Sequence, residues 1–222
     1  MTESVFNLAK DCRWKLKAIL RTCKYNTGGN LILLHKAQIL SFIEYRTAAI
    51  YHACRSSLEA LDRVQDKLIE AAGVSQTEAL LAFKLAPLAA RRDIAMLGLI
   101  HRSVLGRGPT HFKQFFKLDA AVAGDRNGRH RLQLIELSDR HWSDFAFPNS
   151  RPPDYTKNYV LGLVSIYNRL PPDIVESSGS VSVFQGALQD LLCTAAQANA
   201  PGWEHIFSPR VPWHRHPLRA FI

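Results

Sequence analysis

The chain has 222 residues, enough for one sizeable hydrophobic core or one domain with an appendage. Hydrophobic residues make up 47% of it, which excludes a disordered chain, and 28 Lys and Arg against 19 Asp and Glu give a net charge of +9. That excess is lopsided: residues 1–117 hold 18 cations and 9 acids, residues 118–222 hold 10 of each, so the first half is the half that suits an anionic partner.

Residues 3–25 are the most periodic stretch. Val5, Leu8, Ala9, Cys12, Leu16, Ile19, Leu20 and Cys23 recur at spacings of three and four and predict an amphipathic helix. Lys10, Arg13, Lys17, Arg21 and Lys24 form a second stripe about 120° away, bordered by Phe6 and Trp14. A solvated cationic face is the ordinary reading of such a stripe. Five cations with no acid among them repel one another, however, and phosphates would neutralise them. The candidate nucleic-acid-binding residues are therefore Lys10, Arg13, Trp14, Lys17, Arg21 and Lys24.

Asn26-Thr27-Gly28-Gly29-Asn30 predicts a sharp reversal, with the two glycines supplying the freedom to turn. Residues 31–55 then read as one long helix, apolar nearly all the way round and hence buried on several sides. Its polar residues Gln38, Ser41, Glu44, His52 and Arg55 share one sector, and Glu44 needs a partner if that sector is covered. Charges interrupt the run too often for a membrane span. Ser56 with Glu59 predicts a capping box for a helix closed by Gly73, whose core side is Leu58, Leu61, Val64, Leu68 and Ile69. Ser75 with Glu78 predicts a second cap. Pro87 opens a further helix stopped by Gly106 and Gly108, with Arg91 and Arg92 in its first turn, the end the helix dipole disfavours. Arginines so placed are expected to answer carboxylates.

The fold class that follows is mainly α: a helical bundle around a central buried helix (about 31–55), with a smaller mixed or helical C-terminal part. The predicted divisions are a helical bundle over 1–118, a loop-rich linker over 119–157 with a short strand at 131–137, and a small helical part over 158–222 ending in an irregular tail. Cys12, Cys23, Cys54 and Cys193 show no CxxC pairing and read as buried reduced thiols. With no signal peptide legible at residues 1–9, the expected location is intracellular, in nucleus or cytoplasm.

Sites for chemistry are few. Asp139, His141 and Asp144 put three potential metal ligands within six residues, but a polar loop accounts for them. A frayed end accounts for His214 and His216. Ser41, Glu44 and His52 have the composition of a hydrolytic triad, yet residues on one rigid helix cannot converge as that chemistry requires. No glycine loop for phosphate and no Asp-Asp pair occurs in the sequence. No catalytic residue, no metal, no cofactor and no small-molecule substrate is expected.

Six pieces, in order, carry a resemblance: SFIEYRT (41–47), LEALDRVQ (58–65), LAPLAARR (85–92), LIHRSVLGRG (99–108), IYNRLP (166–171) and VFQGAL (183–188). Together they resemble the region just after the polymerase core in reverse transcriptases of non-LTR (LINE-type) retrotransposons. Tyr167 stands where that family tends to have the Trp of Trp-Asn-x-Leu-Pro. The resemblance implies a thumb-like element that contacts a template–primer duplex of RNA or DNA and belongs beside the rest of a reverse transcriptase. The palm and its aspartate pair are missing, so it also implies a truncated, non-catalytic piece. The alternative is a structural or protein-interaction remnant with no nucleic-acid role, its basic helix packed on an acidic protein.

Overall fold

The computed structural model describes residues 2–110, 112, 115–119, 130–136 and 160–222. Helices dominate the described residues, and no strand occurs among them. The chain divides into two compact units, Met1–Arg92 with Ala196–Ala198, and Asp93–Ala195 with Asn199–Ile222.

In the first unit, helix α1 (Thr2–Leu20) lays Val5, Leu8, Ala9, Cys12, Leu16 and Ile19 into the core, as its spacing predicts. It ends earlier than the periodicity suggests. The Thr22 hydroxyl donates to the Ile19 carbonyl (2.6 Å), the Asn26 side chain donates to the Thr22 carbonyl, and the backbone tightens to a 3-10 turn at Cys23–Tyr25. Polar side chains that compete for backbone acceptors in this way break a helix.

Helix α2 (Gly28–His35) starts with Thr27 as its cap, the hydroxyl accepting from the Asn30 N–H. Gly28 and Gly29 are thus helical and do not make the reversal. Gly28 is needed for contact: a Cβ there would lie 2.4 Å from the Ala72 carbonyl oxygen. The chain continues through a π turn at Lys36–Leu40, then α3 (Ser41–Glu44) and α4 (Thr47–Ile50), with a break in regular geometry at Arg46. This stretch is buried along one side, not all the way round as its composition suggests. Leu31, Ile32, His35, Ile39, Leu40, Ile43, Thr47 and Ile50 are buried, but the other side faces out, with Leu33 60% and Tyr45 90% exposed.

Helix α5 (Arg55–Ala72) buries Leu58, Leu61, Val64, Leu68 and Ile69 and ends on Gly73, whose φ of 70° is the left-handed closure expected there. Its start differs from the expected capping box. Cys54 occupies the N-cap, and Glu59 pairs instead with Arg55 at 2.9 Å. Helix α6 (Gln76–Phe83) does carry its cap, Ser75 accepting from the Glu78 N–H.

Helix α7 (Leu88–Val104) gives its first turn to the first unit and the rest to the second. From Leu88 to Ser103 only Arg102 is exposed. Within the second unit follow α8 (Leu163–Tyr167), α9 (Pro172–Glu176), begun by Pro172, and α10 (Val181–Gln197) as far as Ala195. The expected strand at 131–137 reduces, over its described residues, to one antiparallel bridge between Leu118 and Leu134. Asn168 takes the place of a further strand, accepting from the Leu134 N–H (2.8 Å) and donating to its carbonyl (2.7 Å). The tail is not frayed. Trp203, Ile206, Phe207 and Leu218 are buried, and His216 is 3% exposed and bonded to Ser208.

Candidate nucleic-acid interface

Lys10, Arg13, Trp14, Lys17, Arg21 and Lys24 are all exposed. Lys10, Arg13, Trp14 and Lys17 share α1, Arg21 hangs on its last helical hydrogen bond (N–H to the Lys17 carbonyl, 3.2 Å), and Lys24 lies in the 3-10 turn beyond. The stripe therefore follows a helix from Lys10 to Arg21, about 16 Å at 1.5 Å per residue, and then bends. Among the described residues none of its five cations forms an ion pair; Arg13 only turns its Nε back onto the Ala9 carbonyl (3.1 Å).

Several other cations of the first unit are engaged, whereas Lys67 and Lys84 are exposed and, among the described residues, form no ion pair. Arg92, 5% exposed, makes a forked pair with Asp62 at 2.7 and 3.0 Å, and Arg91 pairs with Glu44. Lys36 donates to the Phe83 carbonyl at 3.0 Å. Lys15 sits 3.9 Å from the centre of the Phe42 ring and donates to the Gln38 carbonyl, while the Arg46 guanidinium lies 4.2 Å from the same ring centre. Glu3, Ser4, Asn7, Leu8 and Asp11 of α1 border an open cleft of about 600 Å³ with Arg46.

Two exposed aromatics accompany these cations in sequence. Trp14 is 75% exposed, and Tyr25, which periodicity does not single out, is 87% exposed just after Lys24.

The remaining candidates do not assemble. The Ser41 hydroxyl donates back to the Ala37 carbonyl, and the Glu44 carboxylate accepts from Arg91. Asp139, His141 and Asp144 lie outside the described residues. Among the described residues no group of three or more His, Cys, Asp or Glu could hold a metal ion. No described helix is long and apolar enough to cross a membrane.

None of the four cysteines is disulfide-bonded, but only Cys12 is buried; its thiol is pushed up to about 11 by burial. Cys23 and Cys54 are exposed, contrary to their apolar neighbourhood in sequence. The hydroxyls of Ser56 and Ser57, at 3.3 and 3.0 Å, hold the Cys54 thiol down to about 7.

Several pieces of the resemblance meet one another in space. Glu44 reaches Arg91, Asp62 reaches Arg92, and Gln65 donates to the Ala86 carbonyl at 3.1 Å. In the second unit His101 stacks on Phe184 (4.2 Å, 11°) and bonds the Tyr167 hydroxyl at 3.0 Å. The other nitrogen of His101 faces the Ser178 carbonyl, which only accepts, so Nε2 carries the proton and the Tyr167 hydroxyl donates to Nδ1. Burial holds His101 below its ordinary pKa and Tyr167 above. Comparison with known proteins adds no neighbour: no family model matches the chain, and no match is found among curated proteins or solved structures.

Proposed function

We propose that this chain is a non-catalytic nucleic-acid-binding module, related to the thumb-like region that follows the polymerase core in non-LTR retrotransposon reverse transcriptases. It binds through the face bearing Lys10, Arg13, Trp14, Lys17, Arg21 and Lys24, in nucleus or cytoplasm, beside the rest of a reverse transcriptase or without it.

One observation carries this reading: the five cations of the stripe have no ion pair among the described residues, while Arg91 and Arg92 each have one. An unanswered row of cations on one face lacks the screening that a local acid provides, and a polyphosphate supplies it with release of counterions. The origin draws support from the contacts among Glu44, Arg91, Asp62 and Arg92, since pieces shared with a fold are expected to be those that touch. The absence of a paired aspartate motif in the sequence supports the non-catalytic part, because two-metal phosphoryl transfer needs carboxylates holding ions about 4 Å apart.

The test is a salt titration of binding to labelled nucleic acid, run with a primer-extension assay. Three or four phosphate contacts give a slope of log K against log salt of about −2 to −4, at about −0.7 each on single strands and −0.9 on duplexes. A flat dependence, or no binding at low salt, rejects the binding reading. Extension activity that stays with the protein through successive columns rejects the non-catalytic one.

A further inference from the structure

We propose that the nucleic acid this face takes is an unpaired strand, with a base stacked on Trp14 and the flanking phosphates held by Lys10 and Lys17. The inference rests on the nucleic-acid reading above and names the class of strand.

The indole of Trp14 is 75% exposed on the outward side of α1, against 46% for Phe6 on the same helix. It has Lys10 four residues before and Lys17 three residues after, the positions adjacent to it on one side of the α1 surface; Asp11 and Ala18 stand on the other side. An aromatic face bordered by cations along one edge offers both parts of an unpaired nucleotide a partner, the base on the ring and the phosphate on the ammonium groups. Tyr25, 87% exposed beside Lys24, repeats the pairing after α1 ends. A continuous duplex has no use for such a ring. Its bases are stacked inside, and what it turns outward is phosphate, sugar and groove edge, which cations and amides recognise. Stacking tolerates any base, so the strand would be bound with little regard to sequence.

The probes are fluorescent oligothymidylate and oligouridylate of about 20 nucleotides, longer than one binding site of this kind, and a hairpin of equal charge whose loop is a non-nucleotide linker, so that every base is paired. Binding is measured at low salt for the parent, Trp14→Ala and Trp14→Phe, each checked for an unchanged melting temperature, which the exposure of Trp14 leads one to expect. The expected result is a parent preference for the single strands, a loss of about tenfold for Trp14→Ala on them alone, and retention of most affinity by Trp14→Phe. If Trp14→Ala leaves single-strand binding unchanged, or weakens hairpin and single strand alike, stacking is rejected and the cationic interface stands without it. If the parent binds none of the probes, the nucleic-acid reading itself has failed and takes this inference with it.

Discussion

Two clusters of cations in the first unit differ in what answers their charge. Arg91 and Arg92 stand together at the start of α7, and each is matched by a carboxylate brought from another helix, Glu44 from α3 and Asp62 from α5. Lys10, Arg13, Lys17, Arg21 and Lys24 stand on and just beyond α1 with no carboxylate in reach of an ion pair among the described residues. Charge alone marks neither as a binding site. The first cluster holds helices together; the second has its charge free for something outside the chain.

The contrast can be broken from the structural side. Asp62→Ala strands the Arg92 guanidinium, 5% exposed, without its forked partner, and is expected to cost about 3 kcal/mol or more in urea unfolding. The double variant Asp62→Leu/Arg92→Met should recover most of that loss, because it removes the buried charge along with its partner. If Asp62→Ala unfolds at the parent's urea concentration, Arg92 is as uncommitted as the stripe and the comparison collapses.

His35 sharpens the same comparison through pH. It is fully buried, neither ring nitrogen has a hydrogen-bond partner among the described residues, and burial, with Arg91 nearby, pushes its pKa down to about 4. The unfolded chain, with an ordinary pKa of about 6.5, binds that proton more readily, so stability is full above about pH 6.5 and falls as the pH drops toward 4. The loss is about 3 kcal/mol from this residue, and His35→Leu should flatten that part of the profile. An unchanged profile in His35→Leu would contradict the enclosure described for this part of α2.

A smaller effect is expected at Glu44, which is 41% exposed against 22% for Arg91. Glu44→Gln should cost about 1 kcal/mol, since water screens the pair and can replace the carboxylate. A loss as large as that at Asp62 would mean that Arg91 is more deeply committed than its exposure indicates.

What the sequence allowed and withheld divides along similar lines. The apolar stripe of α1 and the core side of α5 were legible because a local period of 3.6 suffices to find them. Gly73 and Ser75 were legible because they close or open a helix by their own chemistry. The buried polar residues were not. Residues 31–55 look apolar all round yet expose Leu33 and Tyr45, whereas α7 carries Arg92, Asp93, His101 and Ser103 as buried residues. Such polar groups enter a core only with distant partners, as Asp62 serves Arg92 and Tyr167 serves His101, and no local pattern announces them. The same holds for Gly28, kept free of a side chain by Ala72, and for Asn168, which stands in for a strand beside Leu134. The stripe was readable as charge. Its lack of ion pairs, and the exposure of Tyr25 beside it, were not.

The central claim is that this unanswered charge is the binding site, and a paired charge reversal tests it. Lys10→Glu/Lys17→Glu/Lys24→Glu is set against Lys67→Glu/Lys84→Glu/Lys117→Glu, a change of the same size at exposed lysines elsewhere. Both triples should melt within a few degrees of the parent, as surface substitutions do at about 0.5 kcal/mol each or less. The expected result is a steep loss of nucleic-acid affinity in the first triple, with its salt slope flattened by about two, and only a modest loss in the second. Equal losses in both would show that net charge alone governs binding and that the face of α1 is not the site.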